Sequence, residues 1–300
     1  MSSAAELIID VEPSAAGLLP MFEPRQAPAL TVIERRPDWK VLDVRELWRY
    51  RELLLLLTWR DVTVRYKQTV LGVAWAVLQP LATMIVFSIF FGRIASSQKT
   101  DVPYPLFVFA GLIPWTFFAN AIGSAGQSVV GNQNLVTKVY FPRLMIPAGA
   151  VGAGLIDFAI SFGLLLLLMA YYGTMPSWNI VWALPLSLGL VTAALGVGTL
   201  LSALTVKYRD FRHAVQFMVQ LWMFATPTIY LQSDTVVGPY LRPLMPLNPL
   251  YGLISAFRWA MLGGPLDTYA LVVSVAVSLA LLVSGCLYFK RVESGFADII

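Results

Sequence analysis

The sequence predicts an all-α polytopic membrane protein with six transmembrane helices and both termini in the cytosol. Of its 300 residues, 58% are hydrophobic and 13% are charged, whereas soluble domains have a charged fraction of about 25%. The mean hydropathy is +0.70. Long uncharged stretches also alternate with short charged segments. A chain of this composition requires lipid as most of its solvent.

Residues 1–42 are expected to form a mobile, extended cytosolic tail. The segment contains several acidic residues and five prolines, at positions 13, 20, 24, 28 and 37. It lacks the basic start and apolar core of a signal peptide. We expect a segment so rich in acidic residues and prolines to bury too little apolar surface to order a backbone.

Residues 43–68 are predicted to form an amphipathic interface helix. Asp43 and Glu46 have the spacing of a capping box, and a run of five leucines follows. Such a helix can lie in the membrane interface with its basic groups near anionic headgroups. The simpler alternative is a plain anchor that obeys the positive-inside rule. The residues expected to attract a lipid phosphate are Arg60, Arg65 and Lys67.

Residues 69–291 are expected to form the transmembrane domain, followed by a short cytosolic tail, 292–300. A span needs about 20 residues with few or no charges, and six segments satisfy this requirement. The predicted spans are 72–91, 104–128, 144–172, 178–206, 214–231 and 268–289.

The distribution of Lys and Arg predicts the orientation. With the N-terminus inside, the cytosolic segments hold 10, 2, 3 and 2 basic residues, 17 of the total of 21. The external segments hold the other 4. Because cytosolic loops carry the excess of basic residues, both termini are expected in the cytosol.

The segment 232–267, between the fifth and sixth spans, differs from the other loops. Prolines at 239, 243, 246 and 249 separate apolar pieces that are too short to cross a membrane. We interpret these pieces as re-entrant helices, which protein or a water-filled cavity must cover. The alternative is a flat external loop.

Two cytosolic loops, 131–147 and 206–213, combine basic residues with aromatic ones. Tyr140 and Phe141 lie in the first loop, and Tyr208 and Phe211 lie in the second. Exposed aromatic residues are typical of docking surfaces, whereas ordinary positive-inside turns would explain the basic residues alone.

Five blocks in order carry a resemblance to a known family. They are WRDVTVRYKQTVLGVAWAVLQPL (59–81), GLIPWTFFANAI (111–122), NQNLVTKVYFPR (132–143), KYRDF (207–211) and LNPLYGLISAFR (247–258). Together they resemble the permease subunits of ABC-2 type exporters, above all those that export polysaccharides such as O-antigen or teichoic acid. The resemblance runs from about residue 31 to 290.

The resemblance implies a homodimeric permease in the bacterial cytoplasmic (inner) membrane that moves a lipid-linked polysaccharide. It also implies a partner ABC ATPase that binds ATP and Mg²⁺. This chain contains no Gly-Lys dipeptide and therefore no GxxxxGK[ST] phosphate-binding loop, so no cofactor is expected on it. The residues that the resemblance assigns to ATPase coupling are Asn134, Leu135, Lys138, Tyr140, Phe141, Pro142, Arg143, Lys207, Arg209 and Asp210.

Aromatic residues inside the spans can stack on sugar rings, so some are candidates for lining a glycan channel. Core packing and interfacial belts are the alternative explanation. The predicted channel residues are Trp75, Trp115 and Phe118.

Asp157 is the one acidic residue deep in a predicted span. Intramembrane carboxylates are costly and usually face the bundle interior. One hypothesis makes it the proton relay of a secondary transporter; the other makes it a packed residue hydrogen-bonded near Ser161. The sequence shows no buried basic partner for it, which disfavours the relay.

A membrane enzyme acting on polyprenyl-linked sugars is a third possibility. It would need clustered carboxylates or histidines at one membrane face, but the predicted external segments offer only scattered acidic residues and no histidine. With one His and one Cys in the chain, no metal site is expected.

Overall fold

The computed structural model describes residues 48–67, 72, 74–96, 102–208, 210–226, 228 and 242–296, which all lie in one compact unit, Asp38–Ile300. These residues form helices and no strands. The α-helices are α1 (Arg51–Lys67), α2 (Ala74–Ser96), α3 (Tyr104–Gly131), α4 (Gln133–Lys138), α5 (Met145–Tyr171), α6 (Ala183–Lys207), α7 (Phe211–Ala225), α8 (Pro249–Leu262) and α9 (Thr268–Glu293), with 3-10 helices at Trp178–Trp182 and Arg242–Leu247.

Five helical segments are long and apolar enough to cross a membrane, and they match five of the predicted spans. Their bounds differ from the predictions by a few residues at most, because uncharged stretches end where charged residues begin. The segments are Ala74–Gly92, Tyr104–Gly131, Met145–Tyr171, Trp178–Lys207 and Thr268–Glu293.

The predicted fifth span, 214–231, corresponds to α7. This helix has 15 residues, which is shorter than the ~20 residues of a typical span. Most of the chain from 227 to 241 lies outside the described residues. The count of six spans therefore stays a prediction, as do the tail 1–42 and the first residues of the interface helix.

Helix α3 is the central helix, and it packs against α2, α5, α6 and α8. Small residues let its backbone approach its neighbours closely. A Cβ placed on Gly198 of α6 would lie 2.8 Å from the Cβ of Ala125 in α3. Membrane helices commonly associate through such small residues, since lipid provides no hydrophobic driving force between them.

Helix α1 packs along α5. A Cβ on Gly149 would lie 3.1 Å from the Cβ of Leu57, and further along both helices Arg65 is paired with Asp157. These two contacts are eight residues apart on each helix (65 − 57 and 157 − 149). Helix α1 therefore runs alongside the third predicted span in the same direction over this stretch.

A second apolar cluster gathers the predicted cytosolic segments at one end of the bundle. It contains Leu57 of α1, Phe141 of the first loop, Val206 of α6 and Phe296 beyond α9. The start of α1, α4 and the α6–α7 junction meet there, and each of these segments carries basic residues. We therefore call this end the charged end. The three segments that were predicted to share one membrane side are thus placed together.

Helix α8 lies within the predicted re-entrant segment, and it is buried against α3, α6 and α9. Asn248 caps the helix by accepting a hydrogen bond from the Leu250 backbone N–H at 3.1 Å. Its side-chain amide also donates to Thr226 Oγ1 at 2.7 Å and accepts from Trp222 Nε1 at 3.1 Å. A flat external loop does not describe residues 249–262. Residues 232–241 lie outside the described part of the chain.

Candidate functional site

A cavity of about 390 Å³ lies between α1, α2, α3 and α5. This volume is in the range of small-molecule sites, about 300–1,000 Å³. Its lining mixes aromatic, amide, hydroxyl and charged side chains. The lining residues are Arg65, Tyr66, Gly72, Trp75, Ala76, Gln79, Pro80, Thr116, Phe117, Asn120, Ser124, Gly154, Asp157, Phe158 and Ser161.

An ion pair lies in this cavity. The Arg65 guanidinium donates a hydrogen bond to the Asp157 carboxylate, and the Tyr66 hydroxyl donates to the other carboxylate oxygen. A second Arg65 nitrogen lies 3.5 Å from Ser124 Oγ. The inference that Asp157 has no basic partner was wrong, because a residue on the preceding helix supplies one. An acidic residue inside a span thus has a partner without any proton relay.

The cavity reaches far into the membrane-spanning region. Asp157 is 12 residues from Met145, the first residue of α5 (157 − 145), or about 18 Å along the helix axis. Arg65 therefore does not end at headgroup level; the last turns of α1 carry it alongside the third span.

The three residues predicted to attract lipid phosphate have different surroundings. Arg60 pairs with its neighbour Asp61, with Nη2 2.7 Å from Oδ1. Arg65 pairs with Asp157 in the cavity. Lys67, the last residue of α1, is exposed. Because Lys67 lies two residues beyond Arg65 on the same helix, it too lies past headgroup level, and the lipid-phosphate role of all three residues stays a prediction.

The three predicted channel aromatics are also separated. Trp75 is 55% exposed and lines the cavity. Trp115 and Phe118 are buried in the helix core, where the Phe118 ring makes an edge contact with Trp222 at 5.2 Å. Within the protomer, these two rings pack the core instead of lining the cavity, which agrees with the alternative explanation.

Comparison with known proteins gives the family. The family model of ABC-2 type transporters matches residues 52–262. The chain belongs to the ABC-2 type transporter family. The match includes the cavity, both predicted coupling loops and α8.

Named relatives extend this result. The O-antigen export system permease protein RfbA of Myxococcus xanthus is 34% identical over 260 residues, which is 86% of this chain and 98% of the relative. An RfbA of Klebsiella pneumoniae is 28% identical, covering 83% of this chain and 95% of the relative. The polysialic acid transport protein KpsM of Escherichia coli is 26% identical, covering 68% and 79%. The resemblance seen in the sequence and the expectation of a transport permease rather than an enzyme are confirmed.

The first predicted coupling loop of this ABC-2 protein exposes some of the predicted residues and buries others. Asn134, Lys138 and Tyr140 are exposed, Tyr140 by 85%. Phe141 was expected to be exposed, but it is 6% exposed and belongs to the apolar cluster at the charged end. This burial leaves Tyr140 as the projecting aromatic side chain of the loop.

The remaining predicted residues of this loop are half-buried. These are Leu135, Pro142 and Arg143. The Arg143 guanidinium donates a hydrogen bond to the backbone carbonyl of Glu293 at the end of α9. Its backbone N–H donates to the Glu293 side chain at 3.3 Å. Arg143 thus joins the loop to the last helix.

The second predicted coupling loop presents a small surface at the same end. Lys207 and Asp210 are exposed, and Arg209 lies outside the described residues. The Lys207 ammonium lies 5.2 Å from the centroid of the Tyr208 ring. Tyr208 is 49% exposed, whereas Phe211, also expected to be exposed, is half-buried.

Several cavity residues were missed in the sequence. Gln79 and Asn120 are exposed in the cavity wall, although each lies within a predicted span. A side-chain amide in an otherwise apolar span is a signal in itself, since polar groups inside a membrane face the bundle interior or a cavity. Tyr66 had no such signal, because it follows a basic residue at the end of an amphipathic helix.

Proposed function

We propose that this chain is the permease subunit of an ATP-driven exporter that moves a lipid-linked polysaccharide, such as O-antigen or teichoic acid, across the bacterial cytoplasmic membrane. The observation that carries the proposal is the 34% identity to an O-antigen export permease, since the alignment covers 98% of that relative. The KpsM similarity extends the substrate class to other polysaccharides.

The energy source is a separate ABC ATPase that binds ATP and Mg²⁺. ATP binding can shift the permease only through contacts that differ between its states. The exposed residues Tyr140 and Lys138 of the first loop, with Lys207 and Asp210 of the second, supply a surface for such contacts at the charged end. The excess of basic residues there supports a cytosolic position for this end.

The working unit is a homodimer in which each protomer crosses the membrane six times, with α7 as part of the fifth span and α8 in a re-entrant segment on the outer side. One protomer offers few helices with which to enclose a path for a glycan, and a two-fold pair is the simplest closed arrangement. Helix α2 supports this assembly, because it is largely exposed and presents apolar side chains such as Ile89 and Phe90.

A deletion and complementation experiment tests the proposal. Cells that lack this chain are expected to accumulate the polysaccharide in the cytosol and to lose it from the surface. Plasmid-borne permease together with its ATPase restores the surface polymer. The matched control is the same pair with the lysine of the ATPase phosphate-binding loop replaced by alanine, which should restore nothing.

Two outcomes would contradict the proposal. Continued export with the inactive ATPase would indicate a carrier driven by another gradient, and Asp157 would then be its first candidate relay. Normal surface polysaccharide without this chain would remove the glycan assignment altogether.

A further inference from the structure

The charges in the cavity cancel. Arg65 and Asp157 are joined by a hydrogen-bonded ion pair, and no further charged residue lines the cavity among the residues that the structure describes. A phosphate placed beside Arg65 would also lie beside the Asp157 carboxylate, and like charges repel strongly away from bulk water. The cavity therefore favours an uncharged ligand over an anionic one.

Hydrogen-bonding groups in the cavity remain available to such a ligand. The side-chain amides of Gln79 and Asn120 are exposed, and neither makes a hydrogen bond to another described residue. Each amide offers two donors and one acceptor oxygen. The hydroxyls of Thr116 and Ser124 lie in the same wall. This combination suits a ligand rich in hydroxyl groups.

An aromatic wall completes the site. The Trp75 indole lines the cavity and is 55% exposed, and the buried Phe117 and Phe158 also line it. The two phenyl rings contact each other edge to face at 5.5 Å. The C–H face of a sugar ring packs well on such a surface, while its equatorial hydroxyls point sideways toward polar groups.

We propose that this cavity binds an uncharged sugar unit of the transported glycan, stacked on Trp75 and hydrogen-bonded by Gln79 and Asn120. The proposal deepens the polysaccharide export proposed above and depends on it. The Arg65–Asp157 pair holds α1 and α5 together on one side of the site. Those hydrogen-bonding positions of the guanidinium and the carboxylate that the pair leaves unused can bind the sugar hydroxyls.

Cysteine protection in cells tests occupancy directly. Cys286 is the single cysteine and is buried, so Cys286→Ala provides a background without thiols. Asn120→Cys in this background, expressed with the ATPase, is treated with a membrane-permeant maleimide. Labelling is expected to be at least about threefold slower in cells that synthesise the glycan than in cells whose first glycosyltransferase is deleted.

The control for labelling is Met175→Cys, because Met175 is 90% exposed in a loop outside the cavity. Its labelling rate should be equal in both strains. Equal rates at Asn120→Cys, or no reaction at that position in the strain without glycan, would overturn the proposal. If this chain still exports surface glycan in the strain that synthesises it, the failure concerns the cavity and not the export function.

A second arm separates a sugar from a phosphate headgroup. The purified permease–ATPase complex carrying Asn120→Cys is placed in vesicles, either with polyprenyl phosphate or with soluble glycan released from its lipid. Protection by the soluble glycan supports the proposal. Protection by polyprenyl phosphate alone would contradict it, because that lipid carries the charge but no sugar.

Export measurements complete the test. Gln79→Ala and Asn120→Ala should each lower the rate of surface glycan appearance about threefold to tenfold, the loss expected for one hydrogen bond. The matched control is Asn179→Ala, an amide in the Trp178–Trp182 turn outside the cavity. Unchanged export by both cavity variants would count against a sugar site. Copurification with the ATPase shows that each variant has assembled.

Discussion

The guanidinium of Arg65 is hydrogen-bonded to the carboxylate of Asp157, a residue 92 positions later in the chain. The pair joins the last turn of α1 to the middle of the third predicted span. Because Tyr66 donates to the same carboxylate, two consecutive residues of α1 are held by one acidic residue. Helix α1 is thus attached to the membrane domain by a specific polar contact as well as by apolar packing.

Removing both members of this pair should cost less than the sum of the two single removals. Arg65→Leu or Asp157→Leu alone leaves a partly buried charge without its partner, so each is expected to lower the free energy of unfolding by about 1.5–3 kcal/mol. The double variant should lose less than the sum of the two. Thermal unfolding of the purified proteins in one detergent measures this coupling. Strictly additive losses would show that the two side chains do not interact.

The close packing of α1 on α5 depends on Gly152. A Cβ at this position would lie 2.9 Å from Thr58 Oγ1, so Gly152→Ala should destabilise the protein by about 1–3 kcal/mol. Adding Thr58→Ala should recover part of the loss, because it removes the clashing atoms. The matched control is Gly163→Ala on the same helix, where a Cβ meets nothing within 4 Å. Equal unfolding temperatures for Gly152→Ala and Gly163→Ala would contradict the close contact.

Replacing the two neighbouring aromatic residues of the first loop should affect different properties, ATPase binding in one case and stability in the other. Tyr140 is 85% exposed and Phe141 is 6% exposed. Tyr140→Ala is expected to leave thermal stability within about 0.5 kcal/mol but to reduce copurification of the ATPase. Phe141→Ala should lower stability by about 3–5 kcal/mol through loss of core packing. If Tyr140→Ala binds the ATPase at wild-type level, this tyrosine is not part of the docking surface.

Arg258 joins α8 to the central helix, and it should tolerate little change. Its guanidinium is buried, lies 3.9 Å from the Phe107 ring centroid, and donates hydrogen bonds to the backbone carbonyls of Phe107 and Thr228. Arg258→Lys loses the planar stacking and the forked donors. A loss of stability of about 1.5–3 kcal/mol is expected in thermal unfolding. A lysine variant as stable as the wild type would show that charge alone suffices.

The absence of a side chain at position 111 makes room for this arginine. A Cβ at Gly111 would overlap the guanidinium of Arg258, so Gly111→Ala should destabilise the protein about as much as Arg258→Lys does. Gly123→Ala on the same helix is the control, since a Cβ there has no neighbour within 4 Å. Thermal unfolding of the two alanine variants side by side distinguishes crowding from a general effect of alanine in α3.

The spans were predictable because a membrane imposes a rule that acts on the local sequence. A segment that crosses lipid must be apolar over its whole length, so its ends lie where charged residues appear. This rule placed five spans within a few residues of their helices. It was less informative for α7, whose 15 described residues are followed by chain outside the described part.

Side-chain environments within a helix were harder to predict. Trp75 and Trp115 are both aromatic residues in uncharged stretches, yet the first faces a cavity and the second is buried in the core. Tyr140 and Phe141 are adjacent in one loop, and they differ as strongly in exposure. In a chain that is apolar on nearly every helix face, hydrophobic periodicity no longer marks which face is inside.

The sequence by itself determined the membrane class, a charged helix before the first span, the positions of most spans and the family, because each depends on local composition or on ordered motifs. The tertiary structure alone decided that Arg65 pairs with Asp157, that Gln79 and Asn120 face one cavity, and that α1 runs along the third span. Those relationships join residues far apart in the chain, and their geometry depends on how closely small residues such as Gly149 let the helices approach.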